Sequence, residues 1–259
     1  MEYTTLGDTG LQVSRICLGC MSFCDNDWRE WTLNEAESTA IVERAIDLGV
    51  NFFDTANMYA AGGSERVVGN ALSGYDRDDL VVATKVHPSV SPESYPPDEG
   101  DGGLSRKALA QSLENSLERL GMDTVDLYQI HRWDYSTPIE ETLRALDDAV
   151  RRGQVRYLGA SSMWAYQFAE ALATSDALGL ERFVSMQDHY NLAYREEERE
   201  MLSLCAREGI GVVPWSPLAR GYLTRPHEDY ETTTRGQTDG YTESLGYARA
   251  WWSDRKSVV

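Results

Sequence analysis

The sequence predicts an α/β fold, a single parallel barrel of the (β/α)8 TIM kind whose last β/α unit is missing. Three observations predict it. Seven short apolar runs bounded by turn residues alternate with amphipathic segments of helical length. No long linker and no internal repeat divides residues 1–259, so one domain is expected. The 259 residues are 42% hydrophobic, enough for one sizeable core, and about 250 residues is an ordinary barrel size. Regular strand–helix alternation implies parallel strands with helices outside them.

Met1–Tyr3 and Leu11–Val13, joined by Gly7-Asp8-Thr9-Gly10, read as a hairpin ahead of the barrel. Barrel strands are expected at Ile16–Leu18, Asn51–Asp54, Leu80–Lys85, Val125–Ile130, Val155–Ser161, Phe183–Gln187 and Ile210–Trp215. Helices are expected at Asn34–Leu48, Ser64–Leu72, Ser105–Leu120, Ile139–Arg151, Ala165–Leu178 and Arg195–Glu208. The pairs Leu48-Gly49, Leu120-Gly121 and Arg152-Gly153 mark helix ends. His87–Gly103, with four prolines and four acidic residues, reads as a long loop on the strand-end face, either a substrate wall or a solvated insertion. After Trp215 the pattern fails: Ser216–Arg235 is loop-like, and Gly236–Val259 offers a short helix around Tyr241–Trp252. Closing eight strands would need a further unit. Trp251 and Trp252 would then belong to a helix without its packing partner.

Composition narrows the function classes. Forty-two acidic against 24 basic residues give a net charge of −18, a surface that repels nucleic acid and anionic membranes. Only Lys85, Lys107 and Lys256 are lysines, and acidity with arginine in place of lysine favours a halophilic reading, folding in concentrated salt. No apolar stretch reaches the roughly 20 residues of a membrane span. Met1-Glu2-Tyr3-Thr4-Thr5 carries no signal-peptide pattern, so a cytoplasmic protein is expected. Cys17, Cys20 and Cys24 have a metal-like spacing but no clear fourth ligand, and with Cys205 they are expected to be small buried or semi-buried thiols in a reducing compartment in place of a metal site.

The chemistry lies at strand ends. Asp54 ends Val50-Asn51-Phe52-Phe53-Asp54 and Tyr59 follows in the next loop. Lys85 ends Leu80–Lys85, and His131 follows Val125–Ile130. A parallel barrel gathers these positions on one face, where catalytic groups sit. A phenol with an unperturbed pKa near 10 is a poor acid, but an adjacent ammonium favours its ionised form. Asp54 would keep that ammonium charged and placed, and His131 would polarise a substrate oxygen. Singly, each has a plain structural reading: helix cap, loop packing, ion pair or core histidine. Four on successive strand ends favour a proton-donating site. Phe23, Trp28, Trp31 and Trp133 fall on strand-end loops and would form an aromatic wall or serve as packing anchors.

These stretches resemble the aldo-keto reductases, including the branch related to potassium-channel β-subunits. The resemblance runs through Gly49–Tyr59, Ala83-Thr84-Lys85, Asp126–His131, Gly159-Ala160-Ser161-Ser162, Gln187-Asp188-His189-Tyr190-Asn191 and Pro214–Gly221, covering nearly residues 1–225 in the family's order. It implies NADPH-dependent interconversion of small-molecule carbonyls and alcohols on a barrel of that family's type. Tyr59 would be the general acid, tuned by Lys85 and Asp54, with His131 holding the carbonyl. Ser161 and Gln187 would meet the nicotinamide carboxamide, Ser162 would lie near the nicotinamide, and Trp215 would stack on its ring. Ser216, Pro217, Leu218 and Arg220 would follow the pyrophosphate, with Arg225 or Arg235 reaching phosphate. The chain lacks a Gly-x-Gly-x-x-Gly after a first strand, so Rossmann geometry is not expected.

Ser162 departs from the asparagine or arginine of many relatives. The final unit, which in the family helps clamp the adenosine end, is not visible. Two other functions stay open: a weakly active or inactive cofactor-binding relative, and a Schiff-base aldolase using Lys85. Substrate identity, NADP over NAD preference and oligomeric state are not written in the sequence.

Overall fold

Period-two alternation in the short apolar runs decides what faces what. In the computed structural model, which describes residues 1–25, 28–86 and 103–240, those runs form one parallel sheet. An antiparallel hairpin, β1 (Tyr3–Thr5) and β2 (Gln12–Ser14), precedes it. The sheet contains β3 (Cys17–Gly19), β4 (Phe52–Asp54), β5 (Val81–Val86), β6 (Val125–Ile130), β7 (Val155–Ser161), β8 (Phe183–Gln187) and β9 (Gly211–Val212), in chain order. The connecting helices are α1 (Glu35–Asp47), α2 (Gly63–Leu72), α3 (Arg106–Leu120), α4 (Ile139–Arg151), α5 (Ala165–Leu178) and α6 (Met201–Glu208).

Two hydrophobic clusters lie on the sheet's two faces. Phe53, Val82, Val86, Tyr128 and Ile130 pack outward against helix residues such as Val68, Leu113 and Leu143. Phe52, Val81, Ala83 and Leu127 face inward, where Leu6 and Val13 of the hairpin fill the space between them. The hairpin is tied on by the Asp8 N–H, which donates to the Gly209 carbonyl at 2.8 Å. By the same alternation, Asp54, Lys85, Gln129 and His131 fall on the inner face, beyond the hairpin's apolar plug.

Helix ends follow the expected local chemistry. Asn34 and Glu37 form a reciprocal capping box on α1, and the Ser105 hydroxyl accepts from the Ala108 N–H at the start of α3. α3, α5 and α6 each end at a left-handed glycine, Gly121, Gly179 and Gly209.

Most expected elements agree with the fold within one or two residues, the hairpin strands sitting one to two residues later than expected, and three differ. The helix expected at Arg195–Glu208 divides into a 3-10 turn at Glu196–Glu198 and α6, with Glu200 outside helical geometry. Glu196 and Glu200 would be like-charged neighbours on a continuous helix, which favours the break. The strand expected at Ile210–Trp215 shortens to two residues because Pro214 has no N–H for the ladder. The chain nevertheless stays beside β8: Val213 donates to Met186 and Trp215 to Asp188. The expected loop Ser216–Arg235 contains a 3-10 segment, Ala219–Thr224, a short helix α7 (His227–Tyr230) and the beginning of α8 (Thr234–Thr238).

Among the described residues the sheet has seven parallel strands, with β3 and β9 as its outermost members. The expected helix at Tyr241–Trp252, Trp251 and Trp252 themselves, and nearly all of the His87–Gly103 loop lie outside the described residues.

Candidate active site

Lys85 is fully buried, and a buried ammonium must donate each of its protons. It has three acceptors: Asp54 Oδ2 at 2.5 Å, the Thr55 carbonyl at 2.9 Å and Tyr59 Oη at 3.3 Å. Burial opposes its charge, but the Asp54 carboxylate and then Tyr59 outweigh that opposition and hold the ammonium above its ordinary pKa. The Lys85 Nζ also lies 4.9 Å from the Tyr59 ring centroid. The other Asp54 oxygen, Oδ1, accepts from Gln129 Nε2 at 2.9 Å and Gln187 Nε2 at 3.0 Å. His131 meets the Tyr59 ring edge to face, with centroids 5.6 Å apart. Four residues singled out by sequence therefore converge.

These groups form one end of a cavity of about 1910 Å³. Asp54, Tyr59 and His131 line it, whereas Lys85 lies behind Asp54 and Tyr59, out of reach. Trp28, Trp31 and Trp133 also line it, as an aromatic wall would. Phe23 does not: it is buried and pairs with Leu33 in an isolated bridge, so the packing reading replaces the wall for that residue.

The rest of the cavity rim gathers the remaining sequence candidates. Ser161, Gln187, Trp215, Ser216, Pro217, Leu218, Arg220, Arg225 and Arg235 all line the cavity. His189 stacks on Trp215 with centroids 4.2 Å apart and a 12° interplanar angle, and Tyr194 stacks on the imidazole in turn at 4.1 Å. Burial and then the Arg220 charge push His189 down to about 4, so the imidazole in this stack is neutral near neutral pH. Ser162 is the exception among the candidates. It lies behind the cavity wall, where its hydroxyl accepts from Trp215 Nε1 at 2.9 Å and its N–H donates to Asp188 Oδ1 at 3.1 Å. Its contact is with the indole that meets the cavity. Arg220 and Arg235 share the Asp239 carboxylate and both lie over the Trp31 ring, while Arg225 donates to Thr224.

Backbone strain marks the same places. Ala60, Ala61, Ser162, Ser216, Ala219 and Arg220 are the non-glycine residues with left-handed φ among those described. Each lies within two positions of a candidate site residue, and each such conformation costs about 1 kcal/mol or more. A Cβ on Gly62, at φ +86, would be strained and would fall 2.4 Å from Arg119 Cδ, displacing that side chain. Arg119 in turn pairs at 2.6 Å with the fully buried Glu65, which also accepts from Thr84 at 2.5 Å. That second buried ion pair braces the turn that carries Tyr59.

Sequence reasoning missed three contributors. Gln129 stands inside a quoted motif with no role, although its place two residues before His131 in an apolar strand puts it on the same inner face. Asp188 stands inside the Gln187–Asn191 motif with no role assigned from sequence. It is buried, and burial with the nearby Glu197 charge pushes its carboxyl up to about 7. The Glu65–Arg119 pair had no visible signal in the sequence. Cys17 begins β3 and Cys20 directly follows it, in and just after the strand as expected, and burial first, then the Asp54 charge, drives both thiols upward. Among the described residues no group of three or more His, Cys, Asp or Glu is placed to hold a metal, and no helix is long and apolar enough to cross a membrane.

Comparison with known proteins places this architecture. The model of the aldo/keto reductase family matches residues 15–252. The chain is 43% identical to versiconal hemiacetal acetate reductase of Aspergillus parasiticus over all of its own length and 79% of that protein. It is 43% identical to an aldo-keto reductase of Metarhizium robertsii over 93% of this chain and 70% of the relative. A thermostable aldo-keto reductase crystallised with the inhibitor epalrestat superposes with a TM-score of 0.74 at 33% identity, covering 90% of this chain and 77% of that one. The chain belongs to the aldo/keto reductase family, oxidoreductases that act on aldehydes and ketones with nicotinamide cofactors.

Proposed function

We propose that this chain reduces small-molecule aldehydes or ketones, and oxidises the corresponding alcohols, with NADPH as hydride donor and Tyr59 as general acid. The observation that carries the reading is the saturation of Lys85. Its three N–H bonds are committed to Asp54, Thr55 and Tyr59 Oη, so the phenol receives a hydrogen bond from behind while its own O–H is free to face the cavity. A substrate carbonyl placed between Tyr59 and His131 takes that proton on its oxygen as hydride reaches its carbon. Lys85 stabilises the phenolate left behind, and Asp54 holds Lys85.

The rim fits a nicotinamide nucleotide by the chemistry of its donors. Ser161 and Gln187 offer a hydroxyl and an amide to a carboxamide, beside an indole whose other surface rests on His189. Ser216, Pro217 and Leu218 follow along the cavity. Arg220, Arg225 and Arg235 supply positive charge for phosphates, Arg220 and Arg235 while sharing Asp239. Bound there, the nicotinamide supplies the hydride. Ser162 serves this site through Trp215. The preference for NADPH, and assignment to the branch that includes the potassium-channel β-subunits, rest on the resemblance of the quoted stretches.

A panel of aldehydes and ketones, assayed for NADPH and NADH oxidation in molar salt, tests the reading. NADPH consumption matched by alcohol formation is expected. Tryptophan quenching by NADPH with no turnover on any carbonyl would favour an inactive cofactor-binding relative instead.

A further inference from the structure

We infer that Gln129 is a positioning residue of this site, the permanent second anchor of Asp54 when Gln187 is drawn to a ligand. The inference rests on the reductase reading for its kinetic consequence, not for its geometry.

Asp54 Oδ1 has two amide donors of different standing. Gln187 lines the cavity and can be reached by a bound molecule, whereas Gln129 is fully buried and does not line it. A ligand carboxamide that engages the Gln187 side chain competes for the amide now given to Asp54. Were Gln187 the sole donor, that engagement would strip a buried carboxylate oxygen of its hydrogen bond and free the carboxyl to rotate. Gln129 prevents this. With Oδ1 held at 2.9 Å from inside the sheet, Oδ2 stays directed at Lys85, and Lys85 stays directed at Tyr59.

The strands are arranged to admit this side chain. Lys85 pairs with Gln129, Gln129 with Gly159 and Gly159 with Ser185 along one row of the sheet. A Cβ on Gly159 would lie 2.8 Å from Gln129 Cγ and 2.6 Å from Ser185 Oγ, so glycine there leaves the room Gln129 occupies. Gln129 Oε1 has no hydrogen-bond partner among the described residues. A buried acceptor left unpaired is a cost that a leucine at this position would avoid. Keeping an amide despite that cost is accounted for by its donor half.

Gln129→Met, of similar length and without a donor, is the test, read in two independent ways. Steady-state reduction is expected to show kcat lowered about tenfold or more, with carbonyl KM and NADPH affinity within about twofold of the parent. With Lys107 and Lys256 replaced by arginine in both proteins, Lys85 is the single lysine. The exchange of its ¹⁵N-labelled ammonium protons with water should then be about tenfold faster in Gln129→Met. Gln129→Glu should recover part of the lost turnover at low pH, where its carboxyl is protonated and donates to Asp54, and lose it as pH rises. If Gln129→Met does not fold, this pH-dependent recovery relative to the parent carries the test. Unchanged kcat and unchanged ammonium exchange overturn the inference, as does a variant that changes only KM or NADPH affinity. If the parent reduces no carbonyl but ammonium exchange still quickens, the reductase reading fails and the positioning role stands.

Discussion

Two buried ion pairs lie on successive layers of this protein and do different things. Lys85–Asp54 sits on the inner face of the sheet, at 2.5 Å, and Arg119–Glu65 sits outside it between α2 and α3, at 2.6 Å. Both have one member with no exposed side chain, and both have a further hydroxyl partner, Tyr59 for the first and Thr84 for the second. Burial and charge do not separate them. What separates them is where the hydroxyl leads: Tyr59 lines the cavity, whereas Thr84, within β5, is fully buried and does not line it. A buried pair becomes chemistry when its hydrogen-bond chain ends at a surface a substrate can touch, and otherwise it is a brace.

Removing one member of each pair should break them in different currencies. Lys85→Met is expected to lower turnover by roughly a hundredfold or more, because Tyr59 loses the charge that stabilises its phenolate. Glu65→Gln is expected to cost about 2–4 kcal/mol of folding stability, by denaturant unfolding, while the turnover of the folded fraction stays within about twofold. A Glu65→Gln variant of full stability but impaired chemistry would erase the distinction.

Asp188 sharpens the comparison, being a buried carboxyl with no cation paired at hydrogen-bond distance among the described residues. Its Oδ2 has no hydrogen-bond partner among the described residues. Its folded pKa of about 7 lies above the ordinary value of 3.8, so between those values the folded state binds more protons than the unfolded chain. Stability from this group is therefore full at low pH and falls as pH rises toward 7. Asp188→Asn should flatten that decline, gaining about 1–2 kcal/mol near pH 8 and little near pH 4. Equal pH profiles for parent and variant would remove Asp188 from the account. A smaller effect is expected from the surface. Screening of the −18 charge should raise the melting temperature by about 5 °C between dilute buffer and molar potassium chloride, and a flat response would count against the saline reading.

The fold and half the site were legible because alternation in a buried strand is a one-dimensional signal. Asp54 and Lys85 end apolar runs, and a polar residue that ends such a run lies at the mouth of a parallel sheet. The same rule, applied one step further back, marks Gln129, but a glutamine has no charge to draw the eye and its partner is 75 residues away. Glu65 could not be distinguished from the solvated glutamates of other helices, since its helix is buried along most of its length by packing against α1 and α3, which are distant in sequence. Ser162 and Ser216 turn on left-handed backbone at non-glycine positions, and no local residue preference encodes that. The division of Arg195–Glu208 reflects charge repulsion, which the hydrophobic period alone does not register.

The central claim is that the proton comes from Tyr59, and Tyr59→Phe tests it most directly. The substitution keeps the ring that meets His131 and removes the oxygen that Lys85 touches. Carbonyl reduction is expected to fall roughly a thousandfold while NADPH affinity, by tryptophan quenching, stays within about twofold. A folded Tyr59→Phe protein that reduces the carbonyl as fast as the parent would contradict the account.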